Sequence, residues 1–293
     1  MSNLHELPKL RDSLSYLYVE HSIIDRKDNA IEYIQEDGRV MVPIAALCLL
    51  MLGPGTSISH AAIKVLAENG VSVVWVGEDI TKFYASGIGE TKKSFHTLHQ
   101  AELLFNEQAR ERVVKNMYKF RFTELGDDQS TLQQLRGMEG ARVKKAYADA
   151  SKEYGVRWSG RQYNRGTWGD ADPINRALSS ANALLNGMCH AAIVSRGYSP
   201  ALGFIHTGRQ LSFVYDIADL YKTEISIPIS FRIVAEDLQN VEKRTREACR
   251  EKMREVKLLQ RILPDIDSLL ECEVASEDSI GEDPASELWE ELF

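Results

Sequence analysis

The stretch KFYASGIGETKKSFHTLHQAELLFNEQARERVVKNMYKFRF, residues 82–122, contains the change of pattern that decides the fold. Up to Gly87 the chain consists of short apolar runs between turn signals, which is typical of β-strands. After Ser94 the apolar residues recur with a period of about 3.6, which predicts amphipathic helix. The apolar positions that follow this period are Leu103, Leu104, Val113, Val114, Met117 and Phe120.

Working outward from this point, the pattern predicts two regions of different secondary structure. Residues 12–88 contain alternating and β-branched runs, with an Asp37-Gly38 hairpin signal and one helix that begins near Ser59 and ends at Asn69-Gly70. Strands followed by helices, without alternation, favour an α+β fold with segregated domains over a doubly wound sheet. Further helices are predicted at 130–154, 173–196, 211–222 and 241–260. The predicted domains are a β-rich domain (1–88), a larger all-helical domain (89–275) and an acidic tail (276–293).

The net charge of −8 hides an uneven distribution of charge. Residues 271–293 contain nine acidic residues and no base, which leaves residues 1–270 with a net charge of +1. Within that part, residues 136–176 hold nine Lys or Arg against five acids, and residues 241–261 hold eight against four. Two basic zones therefore keep nucleic acid among the expected partners.

Membrane insertion, export and a disulfide framework are all disfavoured. The longest apolar run, VMVPIAALCLLML at 40–52, is too short for a membrane span and contains a proline. The first residues lack the apolar segment of a signal peptide, and the four cysteines show no paired spacing. We expect a protein of the reducing cytoplasm that makes no membrane contact.

The segment GFIHTGRQLSFVYDIADLYK, residues 203–222, places His206 upstream of two aspartates in an apolar helix. Asp216 and Asp219 are three residues apart, about 60° around a helix, so both project towards one side. Buried carboxylates need a positively charged partner, which here is an arginine, a lysine or a metal ion. Spacing alone favours structural ion pairs with Arg209 or Lys222. With His206 included, oxygen ligands and one imidazole suit Mg²⁺ or Mn²⁺.

A second candidate acid is Glu139, which stands between Gly137 and Gly140 in a predicted helix. Two glycines in one turn cost roughly 1 kcal/mol each relative to alanine, and such a cost points to packing or function. A close approach of another backbone or a ligand would explain them, and a solvated glutamate is the alternative.

Basic residues with aromatics among them surround Glu139 and recur in the second basic zone. This combination is what a protein needs to contact phosphates and stack bases, although charged surface residues are also commonplace. The predicted DNA-binding residues are Arg136, Arg142, Lys144, Arg157, Arg161, Tyr163, Arg165, Arg209, Arg246 and Arg250.

Three segments, at 53–78, 134–156 and 200–222, resemble the CRISPR-associated spacer-acquisition integrase family in its type I-E form. The resemblance extends in order over about residues 10–270 and implies a β domain followed by a helical domain. It also implies that Glu139, His206 and Asp219 bind Mg²⁺ or Mn²⁺, with Asp216 as an additional catalytic acid and supporting roles for Lys222 and Arg209.

The resemblance further implies the reaction and the partners. The 3′-hydroxyl of a short duplex DNA, the prespacer, would attack a phosphodiester at the CRISPR leader–repeat, with endonuclease and disintegration activities at the same site. The family acts as homodimers that flank a small ferredoxin-like partner dimer, so both partners are expected here. The 1–88 domain would form the homodimer contact, and the apolar tip of the 276–293 tail is a possible docking segment.

Two other functions remain open from the sequence. One is a metal-dependent DNA phosphodiesterase that cuts without joining strands. The other is a DNA-binding scaffold with a structural acidic cluster, which the glycine-flanked Glu139 disfavours.

Overall fold

The computed structural model describes residues 15–28, 30–35, 38–77, 83–87, 94–121, 130–161 and 172–271. Eight strands occur in this part of the chain, and all of them precede residue 88. They are β1 Ser15–Val19, β2 Ile23–Lys27, β3 Ala30–Gln35, β4 Gly38–Pro43, β5 Leu47–Leu52, β6 Ser57–Ile58, β7 Ser72–Val76 and β8 Phe83–Gly87.

Helices dominate the described residues after Gly87, as the change of period after residue 94 predicts, and one further helix, α1, lies among the strands. They are α1 His60–Glu68, α2 Phe95–Phe105, α3 Glu107–Arg121, α4 Leu132–Tyr154, α5 Pro173–Ser195, α6 Ser212–Ala218, α7 Ser226–Glu236, α8 Val241–Glu255 and α9 Leu258–Leu269. The predicted α+β class, strands first and helices afterwards, is therefore confirmed. None of the helices in the described residues is long and apolar enough to cross a membrane.

The strands form two four-stranded sheets. The first has the order β1-β5-β7-β8, with parallel β1/β5 and β5/β7 pairs and an antiparallel β7/β8 pair. The second has the order β4-β3-β2-β6 and contains an antiparallel meander closed by the pair Gln35 and Gly38. The antiparallel pairing of the strands on either side of the predicted hairpin signal is thus present, while Asp37 itself lies outside the described residues. The parallel pairs were not predicted, because their strands are joined by the other sheet and by α1 rather than by turns.

The first sheet contributes to two cores. Leu49 and Met51 on one face pack with the helices, while Leu50 and Leu52 on the other face pack with α1 and the second sheet. In α5, a Cβ built on Gly187 would lie 3.5 Å from the Met51 sulfur, so this helix lies close against the sheet. The core on the Leu49 and Met51 face is therefore formed jointly by the β-rich and helical parts. The predicted boundary at 88 and the tail from 276 lie outside the described residues.

Local signals fix several helix ends. Thr131 caps α4 in a reciprocal pair with Gln134, and Asp172 accepts a 2.7 Å hydrogen bond from the Asn175 amide at the start of α5. The helix expected over 96–122 is interrupted at Asn106, whose side chain caps α3 through the Ala109 amide. The helix expected over 211–222 ends at Ala218, and the one over 241–260 is interrupted at Lys257, which has a φ of 51°.

Two helices were not predicted. Only residues 258–260 of α9 fall within the helix expected over 241–260. The other is α7, whose sequence, SIPISFRIVAE, is rich in β-branched residues, which favour strands, and contains Pro228. Tertiary packing overrides this preference, because Ile227 and Phe231 pack with Leu178 of α5. The short α6 and the irregular segment before it carry the candidate site.

Candidate functional site

Asp216 on α6 is fully buried and faces the preceding segment. One oxygen accepts hydrogen bonds from the amides of Phe204 (2.6 Å) and Ile205 (3.0 Å), and the other from the amide of His206 (2.9 Å). The latter oxygen also pairs with Nδ1 of His206 at 2.7 Å. Backbone amides and an imidazole therefore satisfy this carboxylate, in place of the arginine, lysine or metal ion that we expected.

Two side chains from α2 and α3 hold the same segment from its other side. The buried amide of Gln100 donates to the carbonyls of Ser199 (3.1 Å) and Leu202 (2.8 Å) and accepts from the Ser199 amide (2.8 Å). Arg110 donates through Nε and Nη2 to the Phe204 carbonyl at 3.3 and 3.0 Å. Sequence reasoning did not identify these residues, because nothing in their local pattern indicates a contact about 100 residues away.

Gly203 allows the segment to fold tightly. A Cβ at this position would lie 2.3 Å from the His206 carbonyl oxygen and 2.7 Å from Ser212, so no larger residue fits without a shift of the backbone. The backbone that carries His206 is therefore held tightly, while the His206 side chain is 44% exposed.

His206 and Asp219 form the exposed part of the site. Nε2 of His206 lies 4.0 Å from Oδ2 of Asp219, and the Lys222 ammonium pairs with Oδ1 of Asp219. The hydrogen bond to Asp216 raises the pKa of His206, and the charges of Asp216 and Asp219 act in the same direction against the effect of burial. The ion pair of Asp219 with Lys222 is one that the spacing favoured.

Glu139 on α4 is held by two arginines. Its Oε1 accepts from Nη1 of Arg121 at 3.0 Å and Nη2 of Arg142 at 3.2 Å, and its Oε2 accepts from Nε of Arg142 at 2.9 Å. Arg121 also donates to the carbonyl of Asp216 at 3.4 Å, and Arg142 donates to the Thr223 hydroxyl at 3.1 Å. The Arg121 guanidinium therefore connects the Glu139 carboxylate to the backbone carbonyl of Asp216.

The residues fit a divalent cation in part. Because the Asp216 carboxylate accepts a hydrogen bond from Nδ1–H of His206, Nε2 can present a lone pair towards Asp219. Metal-binding histidines usually donate their other ring N–H to a carboxylate in this way. The donors are imidazole and carboxylate, which suit Mn²⁺ or Mg²⁺. As placed, the described residues contain no group of three His, Cys, Asp or Glu donors that could hold a metal ion. Glu139, the third expected ligand, is paired with Arg121 and Arg142.

The glycines beside Glu139 show no close approach within the chain. A Cβ at Gly137 or Gly140 would meet no atom of the described residues within 4 Å. Both glycines are exposed, and helical geometry puts them on other sides of α4 than Glu139. Within the described residues, the packing explanation for these glycines is therefore unsupported.

The predicted DNA-binding residues fall into several groups. Four of them are exposed: Arg136, Lys144, Arg157 and Arg209. Arg142 forms an ion pair with Glu139, and Arg250 on α8 is partly buried. Arg161 contacts Asn175 and Ser179 at the start of α5. Tyr163 and Arg165 lie outside the described residues.

Arg246 and the aromatics near the first basic zone have structural contacts. Arg246 is 7% exposed, and its guanidinium lies 5.3 Å from the centre of the Tyr18 ring, across the contact between the β-rich and helical parts. Tyr147 and Trp158 stack on each other with ring centres 4.5 Å apart, which anchors the segment after α4. These two aromatics are therefore not open platforms for bases.

Comparison with known proteins places this geometry in context. The family described as CRISPR associated protein Cas1 matches the chain over residues 15–125 and 120–248. The CRISPR-associated endonuclease Cas1 2 of Thermus thermophilus is 50% identical over 284 residues, which cover 96% of this chain and 87% of that protein. The CRISPR-associated endonuclease Cas1 of Escherichia coli is 40% identical over 268 residues, covering 91% and 88%. The crystal structure of the TtCas1–DNA complex has a TM-score of 0.82 at 48% identity, covering 91% of this chain and 95% of that chain.

Proposed function

Because the chain belongs to the Cas1 family of CRISPR-associated proteins, we propose that it is a DNA endonuclease and integrase that inserts short DNA fragments into a CRISPR array. The observation that carries this proposal is the pair His206 and Asp219. Their Nε2 and Oδ2 atoms lie 4.0 Å apart, and His206 is held by its hydrogen bonds to Asp216. Relatives named endonucleases and a related protein in complex with DNA support action on DNA.

The proposed cofactor is Mg²⁺ or Mn²⁺, held by His206, Asp219 and Glu139. When bound, such a cation polarises the scissile phosphate and stabilises the charge that develops on the leaving oxygen. Asp216 stays outside this ligand set, because its carboxylate accepts four hydrogen bonds from the segment that carries His206. We therefore propose Asp216 as a positioning residue rather than as a catalytic acid.

The proposed reaction is a transesterification. The 3′-hydroxyl oxygen of the fragment forms a bond to phosphorus and loses its proton to solvent. The bond from phosphorus to a 3′-oxygen of the repeat breaks, and that oxygen takes up a proton from solvent to become a 3′-hydroxyl. Lys222, 30% exposed beside Asp219, places a positive charge next to the reacting phosphate. Arg209 is exposed in the segment that leads into α6 and supplies a second cation for the DNA backbone.

The proposed partners follow the family. We propose a prespacer duplex and the CRISPR leader–repeat as the DNA substrates, a homodimer, and a small ferredoxin-like partner dimer that fixes the distance between two sites. The type I-E subtype also stays a proposal, supported by the 40% identity to the Escherichia coli relative.

A nuclease that does not join strands is the second candidate, since water in place of the 3′-hydroxyl gives hydrolysis at the same site. An integration assay separates the two candidates. Labelled short duplex DNA is incubated with a supercoiled repeat-containing plasmid, the partner protein and Mg²⁺ or Mn²⁺. We expect the wild type to join label to the plasmid and Asp219→Ala to fail. The matched control is Asp237→Ala, an exposed aspartate whose side chain accepts from the Gln239 amide.

Three outcomes of this assay are informative. Cleavage without joining, with a partner protein of proven activity, would favour the nuclease. DNA binding without either reaction would favour a scaffold. Joining by the Asp219→Ala variant would contradict the proposed site itself.

A further inference from the structure

The two oxygens of Glu139 are covered unequally. Among the hydrogen bonds of the described residues, Oε1 accepts from both Arg121 and Arg142, whereas Oε2 accepts from Arg142. Arg142 therefore spans the whole carboxylate, and Arg121 contacts one side of it. Removing Arg142 would uncover Oε2 and leave Glu139 anchored through Oε1. Removing Arg121 would leave both oxygens covered.

The two arginines are also held differently. The Arg121 side chain is 3% exposed, donates to the carbonyl of Asp216, and lies 5.7 Å from the centre of the Tyr118 ring. The Arg142 side chain is 25% exposed, and beyond Glu139 it donates to the neutral hydroxyl of Thr223. Arg121 is thus built into the packing between α3, α4 and α6. Arg142 lies where solvent and a ligand can reach it.

The charges around the site balance before any cation binds. Glu139 pairs with Arg121 and Arg142, and Asp219 pairs with Lys222. The third carboxylate, of Asp216, contacts His206. With His206 neutral, the three carboxylates and the cations Arg121, Arg142 and Lys222 carry no net charge. A divalent cation would add two positive charges to this balanced set. Phosphate groups would offset them, and the guanidinium fork of an arginine matches a phosphate as well as it matches a carboxylate.

We propose that Arg142 is an exchangeable cover on Glu139 and that Arg121 is the positioning residue that keeps the carboxylate in place. On DNA binding, the Arg142 guanidinium moves to a backbone phosphate, and Oε2 of Glu139 becomes available as a metal ligand. The Arg142 side chain is 25% exposed, which gives a DNA strand access to its guanidinium. DNA and the divalent cation therefore bind cooperatively. This inference rests on the proposed function, since it uses the same ligand set.

The test is a calorimetric titration of the DNA-free protein with Mn²⁺. We expect Arg142→Gln to bind Mn²⁺ at least about fivefold more tightly than the wild type, the lower end of ordinary coupling between two sites. Arg142→Lys keeps the charge but cannot span both oxygens, so it should also bind more tightly. Arg121→Gln acts on the same carboxylate and is the matched control. It should bind no more tightly than the wild type, because the Arg142 fork still covers both oxygens.

A second titration includes a short duplex DNA, with Asp219→Ala and the same DNA as the blank for Mn²⁺ that binds to DNA alone. We expect DNA to tighten Mn²⁺ binding by the wild type at least about fivefold and to have little effect on Arg142→Gln. Thermal unfolding checks that each variant is folded, and Arg142→Lys replaces Arg142→Gln if the latter is not.

The outcomes separate this inference from the proposed function. If Asp219→Ala binds Mn²⁺ as the wild type does, the proposed metal site is wrong. If Asp219→Ala loses Mn²⁺ but Arg142→Gln and Arg142→Lys both match the wild type, the site stands and the exchangeable cover is refuted. Equal tightening by Arg121→Gln and Arg142→Gln would also refute it, because the loss of any positive charge would then explain the effect.

Discussion

Replacing Asp216 by alanine is expected to destabilise the protein far more than replacing Asp219 by the same residue, although Asp219 follows α6 directly and lies only three residues after Asp216. Asp216 is fully buried and accepts four hydrogen bonds, three of them from backbone amides. Its removal leaves those donors buried without an acceptor. The carboxylate of Asp219 is 23% exposed and pairs with Lys222 near the surface.

The expected magnitudes follow from these environments. Hydrogen bonds to a charged group contribute about 1.5–3 kcal/mol each and are not additive, and breaking a buried charged pair costs about 3–5 kcal/mol in all. We expect Asp216→Ala to lower the free energy of unfolding by about 3–5 kcal/mol. An ion pair near the surface contributes about 0–1 kcal/mol, so Asp219→Ala should cost no more than that.

Thermal unfolding followed by circular dichroism measures the difference. At about 2 °C per kcal/mol for a chain of this size, Asp216→Ala should melt roughly 6–10 °C below the wild type, and Asp219→Ala within about 2 °C of it. Asp216→Asn preserves the volume but turns amide hydrogens towards backbone donors, so it should fall between the two. Equal melting temperatures for the Asp216 and Asp219 variants would refute the assignment of Asp216 to structure and positioning.

Three further predictions test other parts of the fold. Burial lowers the pKa of His190 from 6.5 to about 4, so the folded protein binds fewer protons than the unfolded chain. The free energy of unfolding should therefore fall by about 3 kcal/mol as the pH drops from 6.5 to 4. Urea titrations of His190→Gln should show a weaker dependence of this free energy on pH. Gln100→Leu keeps the volume but removes three hydrogen bonds, so hydrogen exchange at Ser199 should accelerate by at least about tenfold, with Gln133→Leu on the exposed side of α4 as control. Trp158→Ala should cost about 3–5 kcal/mol through its lost packing on Tyr147, and an unchanged melting temperature would contradict that anchoring role.

The fold class was predictable because the hydrophobic period is a local property of the sequence. Strand-like alternation before residue 88 and helical periodicity after residue 94 each arise from residues within a few positions of one another. The parallel pairing of β1 with β5 was not predictable in this way, since paired residues are about 32 positions apart and three strands of the other sheet lie between them in sequence. The helix α7 follows the same rule, because its contact with Leu178 overrides a local preference for strand.

Spacing along the chain indicated Lys222 as a partner of Asp219 but did not indicate the partners of Asp216. Asp216 and Asp219 both lie near His206, although α6 ends at Ala218, before Asp219. Spacing alone could not distinguish their surroundings. The amides that satisfy Asp216 belong to residues 204–206, which approach it through the tight fold at Gly203. A backbone amide leaves no mark on a sequence, because every residue except proline has one. A search for charged partners therefore cannot find it.

The three acids illustrate a general difference between a carboxylate that shapes a site and one that can take part in its chemistry. Backbone amides cannot leave Asp216 without unfolding the segment that carries His206, so that carboxylate is committed to structure. The partners of Asp219 and Glu139 are side chains, the Lys222 ammonium and two guanidinium groups, which can turn towards another anion while the backbone stays in place. Only the latter two acids can therefore exchange a partner for a bound cation. The kind of partner thus distinguishes the three acids in this structure, and spacing along the chain does not reveal it.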